Sequence, residues 1–285
     1  FSKAAKQLFL TQPTISAHIS SLEKELNARL FVRNTKEVKL SDDGKELYRY
    51  ARQMIDLQKK IEERFETGKS ESKHLITIAA STIPAQYLLP EILMKFNERY
   101  PKEQVKLLET DSSQVVTKII DHMVDVGFTG TVLEKKHCKY IPFYKDELVV
   151  ITPNTEKYQV LHQNIEDISW ISGECLIMRE EGSGTRKEAG KQLRNAGINL
   201  DKLKIIASIE NQETIKKSVK QGMGISIISR LAAEEEAKSG DLLTFPIPKA
   251  DQGRDINLVY NKNYQMSKSA ERFIKVVKEV YGIEE

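Results

Sequence analysis

The apolar residues of this chain keep a helical period at its N-terminal end, and the period changes twice further on. Ala4, Ala5, Leu8 and Phe9 give one apolar face to a short helix over 2–9 that opens at a Ser cap. Thr11-Gln12-Pro13 restarts a helix after a sharp turn, with Thr11 as the cap and Pro13 tolerated in a first turn whose amides have no intrahelical partner. Ile15, Ile19, Leu22 and Leu26 then recur at helical spacing, which buries one stripe and leaves Gln12, Thr14, Ser16 and His18 for other faces. Two short helices joined by a tight turn, the second beginning with small polar side chains, form a helix-turn-helix arrangement. The β-prone runs Leu30–Arg33 and Val38–Leu40 flank a polar turn at 34–37 and predict a two-stranded wing, its basic residues placed for a phosphate backbone. Ser41-Asp42-Asp43-Gly44 caps a long helix over about 42–66, in which Leu47, Tyr50, Met54, Leu57 and Ile61 follow a narrow coiled-coil seam. The seam predicts a dimerising helix; the alternative is an amphipathic helix packed on its own domain.

Residues 67–73 are rich in Gly, Ser and Lys and carry no apolar anchor, so the hinge between modules is expected there. Beyond it strands alternate with helices. Strands are predicted at 74–80, 105–110, 124–129, 140–152, 175–179, 203–209, 224–228 and 255–261, with a last helix over about 267–281. That order predicts an α/β architecture with mainly parallel sheets, and no internal repeat is visible.

Length narrows the picture: 285 residues exceed one ordinary core. Charge narrows it further. The net charge of +3 is carried by residues 1–72, where 14 basic side chains face 11 acidic ones; residues 1–40 hold 7 against 3. A basic surplus on a helix-turn-helix is the sign a module needs to displace counterions from phosphates. The longest apolar runs, such as Leu148–Ile151, are far shorter than the ~20 residues that span a bilayer, and no export signal is seen, so no membrane partner and a cytoplasmic location are expected. Cys138 and Cys175 form no disulfide framework and no metal spacing, and both read as packing residues; no cofactor and no metal are expected.

The segment FSKAAKQLFLTQPTISAHISSLEKELNARLFVRNTKEVKLSDDGKEL resembles the LysR-type winged helix-turn-helix nearly position by position. Its strongest parts are Ser2–Ala5, Thr11–Ser16, Ile19–Glu23, Leu30–Arg33 and Leu40–Gly44. The likeness continues more loosely through Leu89-Pro90, Tyr100-Pro101, Val124–Phe128, Glu181–Arg186 and Gly222–Ile225. It implies an α+β protein: a winged helix-turn-helix over 1–41, a linker helix and hinge over 42–73, and a two-lobed α/β effector domain of periplasmic-binding-protein type over 74–285. Lobe I is expected at about 74–152 and 254–285, and lobe II at about 153–253. The family has about one more helix before the position of Ser2, so the DNA-binding domain is expected to be incomplete at its N-terminus. It also carries, in many members, an arginine where this chain has Ala17 followed by His18. The resemblance implies that Thr11, Gln12, Pro13, Thr14, Ser16 and His18 face the major groove, with Arg33 and Lys36 or Lys39 on phosphates. The implied partners are double-stranded DNA with a pseudo-palindromic operator, a small anionic effector, and further copies of the chain as a homodimer or homotetramer. Within the family the chain is most similar to the CysB-like branch that senses sulfur-related or other small oxyanions.

In alternating α/β sheets, ligands bind beyond the carboxyl ends of strands, where the amides of following helices point outward. Two places fit. The strand 76–80 runs into Ser81-Thr82, and Ser183-Gly184-Thr185 opens the helix that contains Arg186. These five residues are the expected effector ligands, with Thr131 secondary. Ser, Thr and Gly also cap helices when nothing binds, and Arg186 has a structural alternative in pairing with Glu180 or Glu181. An enzyme is disfavoured: Gly184 to Lys191 is one residue too long for a phosphate-binding loop, Gly182-Ser183-Gly184 is too short for a nucleophile elbow, and the five histidines form no triad. No catalytic residue is assigned. The remaining rival is a solute-binding protein of the two-lobed class, which accounts for 74–285 and leaves the first 66 residues unexplained. Trp170 has two readings, a stacking platform for ligand or a core residue.

Overall fold

The computed structural model describes residues 1–33, 38–65, 74–163, 167–248 and 253–283. The expected wing turn with Lys36, the hinge at 67–73 and the side chain of Arg33 lie outside the described residues. The chain divides into two compact units, 1–70 and 71–285.

In the first unit, α1 (Ser2–Gln7) ends two residues earlier than expected, because Phe9 turns left-handed at φ 54° and the amide of Leu10 returns to the Ala5 carbonyl. That turn lifts Phe9 off the helix face, and the ring expected in the core is 96% exposed. Thr11 then caps α2 (Gln12–Glu25) by accepting from the Thr14 amide. Helix α2 buries Ile15 beside Ala5 and half-buries Ile19 and Leu22. Leu26, expected as the fourth member of that stripe, is exposed because the helix has ended and Asn27 is left-handed at φ 48°.

The residues that carry the sequence motif hold the next elements together. The Glu23 carboxylate accepts from the amides of Leu30 (2.8 Å) and Phe31 (3.2 Å), which fixes the start of β1 (Phe31–Arg33) against α2. Strand β1 pairs antiparallel with β2 (Val38–Leu40), Phe31 opposite Leu40. Ser41 closes the ribbon. Its amide donates to the Leu30 carbonyl, its hydroxyl donates to the Arg29 carbonyl, and the same oxygen accepts from the Gly44 amide at the start of α3 (Asp42–Phe65). Along α3, Leu47 at the start of the predicted seam is half-buried, while Tyr50, Met54, Leu57 and Ile61 are exposed among the described residues of the first unit.

The second unit runs β3 (His74–Ala80), a π-helical turn (Pro84–Leu88), α4 (Leu89–Arg99), β4 (Glu103–Glu109), α5 (Ser112–Ile120), β5 (Val126–Thr129) and β6 (Cys138–Asp146). It continues through β7 (Leu148–Pro153), α6 (Glu156–Gln163), β8 (Cys175–Met178), α7 (Gly184–Asn195), β9 (Lys204–Ser208), α8 (Gln212–Lys220) and β10 (Ile225–Ser229). It closes with α9 (Arg230–Ser239), β11 (Leu242–Pro246), β12 (Arg254–Asn261) and α10 (Lys268–Tyr281). Two five-stranded sheets result, in the orders β4-β3-β5-β12-β6 and β11-β7-β10-β8-β9. Phe96, Phe128 and Phe273 interlock behind the first sheet at 5.0–6.2 Å, and the same apolar cluster runs on into Val149, Ile151, Ile177 and Ile228 of the second. A separate cluster around Leu176, Leu193, Ile225 and Phe245 fills the second lobe and takes in Trp170, which packs on Phe245 at 5.0 Å as a core residue.

Three expectations are corrected here. The run 140–152 is two strands rather than one: it breaks at Glu147, with β6 in the first sheet and β7 in the second, so the lobes change at Glu147 and not after residue 152. The strand β11 was not expected; it adds antiparallel to β7. The sheets are mixed, not mainly parallel. β3, β4 and β5 run parallel, as do β8, β9 and β10, while the strands at the two crossings reverse direction, so that β12 is antiparallel to β5 and β6, and β7 to β10 and β11.

Cys138 is buried on β6, and desolvation pushes its thiol up to about 11, so it is protonated and unreactive at neutral pH.

A Cβ on Gly44 would stand 2.0 Å from the Leu30 carbonyl oxygen, a backbone atom held by Ser41. We expect Gly44→Ala to destabilise the first unit by about 2 kcal/mol or more, as forced overpacking does. Denaturant melts of the two proteins check this, and equal midpoints would show that the wing gives way freely.

Candidate functional site

Two separate surfaces carry the chemistry anticipated from the sequence. On the first unit, Thr11, Gln12, Pro13 and His18 are exposed along the start of α2, and Lys39 is exposed on β2. Thr14 and Ser16 are half-buried. The Thr14 hydroxyl is held 2.8 Å from that of Thr11, which orders the first turn of the helix. Gln12 therefore stands exposed in the first turn of a capped helix, and its side-chain amide carries both a donor and an acceptor.

On the second unit a narrow cleft collects residues from the carboxyl ends of parallel strands in both lobes. Ser81 and Thr82 follow β3, Asp111 and Ser112 follow β4, Arg179 and Glu180 follow β8, and Ser183-Gly184-Thr185 open α7; together with Ile83 and Arg254 they line one cavity. Its volume is about 10 Å³, room for roughly one water. Five expected effector residues, Ser81, Thr82, Ser183, Gly184 and Thr185, thus come together. Thr131 stands beside the cavity, its methyl 3.4 Å from where a Cβ on Gly184 would be.

Close approach explains the two glycines. A Cβ on Gly182 would meet the Asp111 carboxylate at 2.8 Å, and one on Gly184 would meet the Ser112 hydroxyl at 2.9 Å. Backbone from one lobe therefore lies against a helix start of the other, with no room for a side chain between them.

The arginines sit differently from the expectation. Arg186 does not pair with Glu180 or Glu181; its Nη1 donates to the Arg179 carbonyl at 2.8 Å. It is Arg179, 5% exposed, that forms the two-pronged pair with Glu180, through Nε and Nη2 at 2.8 Å each, and its Nη2 also reaches the Thr82 hydroxyl in the other lobe at 3.2 Å. Arg254, also 5% exposed, pairs with Asp146 through Nε (2.8 Å) and Nη2 (2.7 Å). The Ser112 hydroxyl is buried with no hydrogen-bond partner among the described residues. Such a group carries a desolvation cost with nothing to offset it, and is the strongest local sign of a ligand position.

Sequence reasoning missed Asp111, Ser112, Arg179 and Arg254. The first two repeat the signal used at Ser81, a strand followed by a hydroxyl residue opening a helix. Arg179 was absorbed into the strand before it, and Arg254 has no local signal at all, since it reaches the cleft from the returning strand. Among the described residues, no three His, Cys, Asp or Glu side chains gather as a metal set, and no helix is long and apolar enough to cross a membrane.

Comparison with known proteins agrees with this architecture. Residues 69–282 match the family described as LysR substrate binding domain, and residues 1–45 match the bacterial regulatory helix-turn-helix proteins of the lysR family. An uncharacterized HTH-type transcriptional regulator of Methanocaldococcus jannaschii is 30% identical over 280 residues, covering 98% of this chain and 94% of the relative. The HTH-type transcriptional regulator CysL of Bacillus subtilis is 26% identical over 281 residues, covering 99% and 92%. Among solved structures, full-length CbnR complexed with its target DNA superposes with a TM-score of 0.71 at 18% identity over 98% of this chain and 93% of that one, a likeness of fold. With both of its units matched in order and a relative at 30% identity along nearly its whole length, the chain belongs to the LysR family of helix-turn-helix regulators.

Proposed function

We propose that this protein is a sequence-specific DNA-binding transcription regulator controlled by a small anionic effector. The observation that carries the DNA half is the capped start of α2, where Thr11, Gln12 and His18 are exposed on a basic N-terminal unit. A glutamine amide presents donor and acceptor together to adenine in the major groove, while Lys39 of the wing is placed for a phosphate. The exposed apolar residues Tyr50, Met54, Leu57 and Ile61 of α3, at coiled-coil spacing, support pairing of two chains, and paired helix-turn-helix units read a pseudo-palindromic operator.

The cleft supports the effector half. Its two guanidiniums are already paired with carboxylates, so attraction for an anion comes from their remaining N–H groups, the Ser112 hydroxyl and the starts of α5 and α7 rather than from net charge. That chemistry suits a compact oxyanion, sulfur-related oxyanions among them. The solute-binding reading leaves the first unit without a use and is set aside.

Two measurements test this. Gln12→Ala is expected to weaken binding to the operator by about tenfold, the worth of one bidentate base contact, while binding to random duplex changes little; equal losses on both duplexes would refute a base-reading Gln12. A thermal-shift panel of sulfate, thiosulfate, selenate, phosphate and small carboxylates is expected to stabilise the protein with at least one oxyanion, as binding to the folded state requires. No shift with any of them would overturn the anionic effector.

A further inference from the structure

The two chain crossings between the lobes meet at a buried three-residue network. Asp146 is the last residue of β6 and Arg254 the first of β12, directly opposite it in register. Ser229 ends β10 in the other sheet, and its hydroxyl donates to Asp146 Oδ1 at 2.5 Å. Arg254 holds Oδ2 of the same carboxylate, and all three residues are buried, with Asp146 1% and Ser229 0% exposed. One carboxylate thus ties both crossing strands to the second sheet. The Arg254 guanidinium uses Nε and Nη2 for this, while Nη1 lies against Gly130, 3.0 Å from where a Cβ would be, and the residue lines the cleft with Ser81, Ser112 and Ser183.

Resting on the reading of the cleft as an oxyanion site, we propose that Arg254 and the Ser112 hydroxyl are effector ligands, and that Arg254 shares its guanidinium between the bound oxyanion and Asp146 so that occupancy is felt at both crossings. Three features converge on this. Ser112 carries a buried hydroxyl whose hydrogen-bonding capacity is unspent, and it borders the same cavity as Arg254. Gly130 makes room for the guanidinium itself, whose Nη1, Cζ and Nε lie 3.0–3.3 Å from where a Cβ would be, and so lets Arg254 reach the cleft. A cavity of about 10 Å³ admits roughly one water, so an oxyanion of five atoms enters only if the lobes move apart or the arginines shift. A ligand shifts a conformational balance only through different contacts in the two states. An arginine bonded to the ligand on one edge and to the crossing strands on the other supplies that difference.

The test uses the whole chain with sulfate as probe, or whichever oxyanion of the panel gives the larger thermal shift. Calorimetry reads affinity, and amide hydrogen exchange reads the segments 146–149 and 253–257. In the wild-type protein we expect the oxyanion to slow exchange in both segments. Ser112→Ala is expected to weaken binding by about tenfold while leaving the melting temperature without ligand unchanged or raised, since it removes an unsatisfied buried hydroxyl. Arg254→Lys is expected to weaken binding by at least tenfold and abolish the exchange response, because a lysine ammonium cannot serve both partners in the plane of a guanidinium fork. Ser229→Ala is expected to bind within about threefold of wild type yet show a blunted exchange response. Wild-type affinity in both Ser112→Ala and Arg254→Lys, or an undiminished response in Ser229→Ala, overturns the inference while the anionic effector stands. Failure of the wild-type protein to bind any oxyanion overturns both. If Arg254→Lys does not fold, Ser112→Ala decides the ligand assignment and Ser229→Ala the coupling.

Discussion

The second unit passes one chain twice between two sheets, and the buried charge at those crossings has to be matched. The Asp146 carboxylate meets that need: it takes Arg254 from the returning strand and Ser229 from the opposite sheet, in a place with almost no exposure to water. Removing one partner from such a buried pair costs on the order of 3–5 kcal/mol, because the other charge is then left uncompensated. The same pair sets where the lobes change. The polypeptide leaves the first sheet after Asp146 and rejoins it at Arg254, next to Gly253, which is left-handed at φ 60° and comes close to the Asp146 carbonyl.

From that constraint the cleft follows. Parallel strands in each lobe deliver their carboxyl ends, and the helices that follow them start, toward the gap between the lobes. Short polar residues serve as caps or first residues there: the Asp111 carboxylate caps α5, which opens with Ser112, and the Ser183 hydroxyl caps α7. Glycines at 182 and 184 let the facing segments approach to a few ångström. The result is a small polar cavity lined by two arginines that are already paired with carboxylates, by the Asp111 carboxylate and by the unpartnered Ser112 hydroxyl, so that what it offers a small ligand is hydrogen-bond donors rather than net positive charge.

Much of this was legible in the sequence because it depends on local signals. The Thr11 cap, the Pro13 start and the hydroxyl-glycine openings of helices are short-range devices, and so is the switch between the helical period near Ile15 and the strand runs near Ile78. What escaped depends on tertiary placement. Phe9 reads as a core residue by spacing, yet a left-handed turn takes it out. The break at Glu147 is marked in the sequence only by the charged Lys145-Asp146-Glu147 between two β-prone runs, with no Gly or Pro to announce a turn. Arg254 enters the cleft from a strand far along the chain, and nothing in its neighbours announces that. Arg186 looked like a partner for its acidic neighbours, while its side chain instead braces the Arg179 carbonyl and leaves Glu180 to Arg179.

In the proposed function, filling of the cleft in the second unit adjusts the grip of α2 on DNA. Footprinting of the DNA upstream of the gene with the full chain, while an oxyanion that binds the protein is titrated, tests this most directly. The account predicts protection of a pseudo-palindromic segment over bulk competitor at moderate salt, with the extent of protection changing as the cleft fills. A footprint indifferent to the oxyanion, or no preference for any segment, would contradict it.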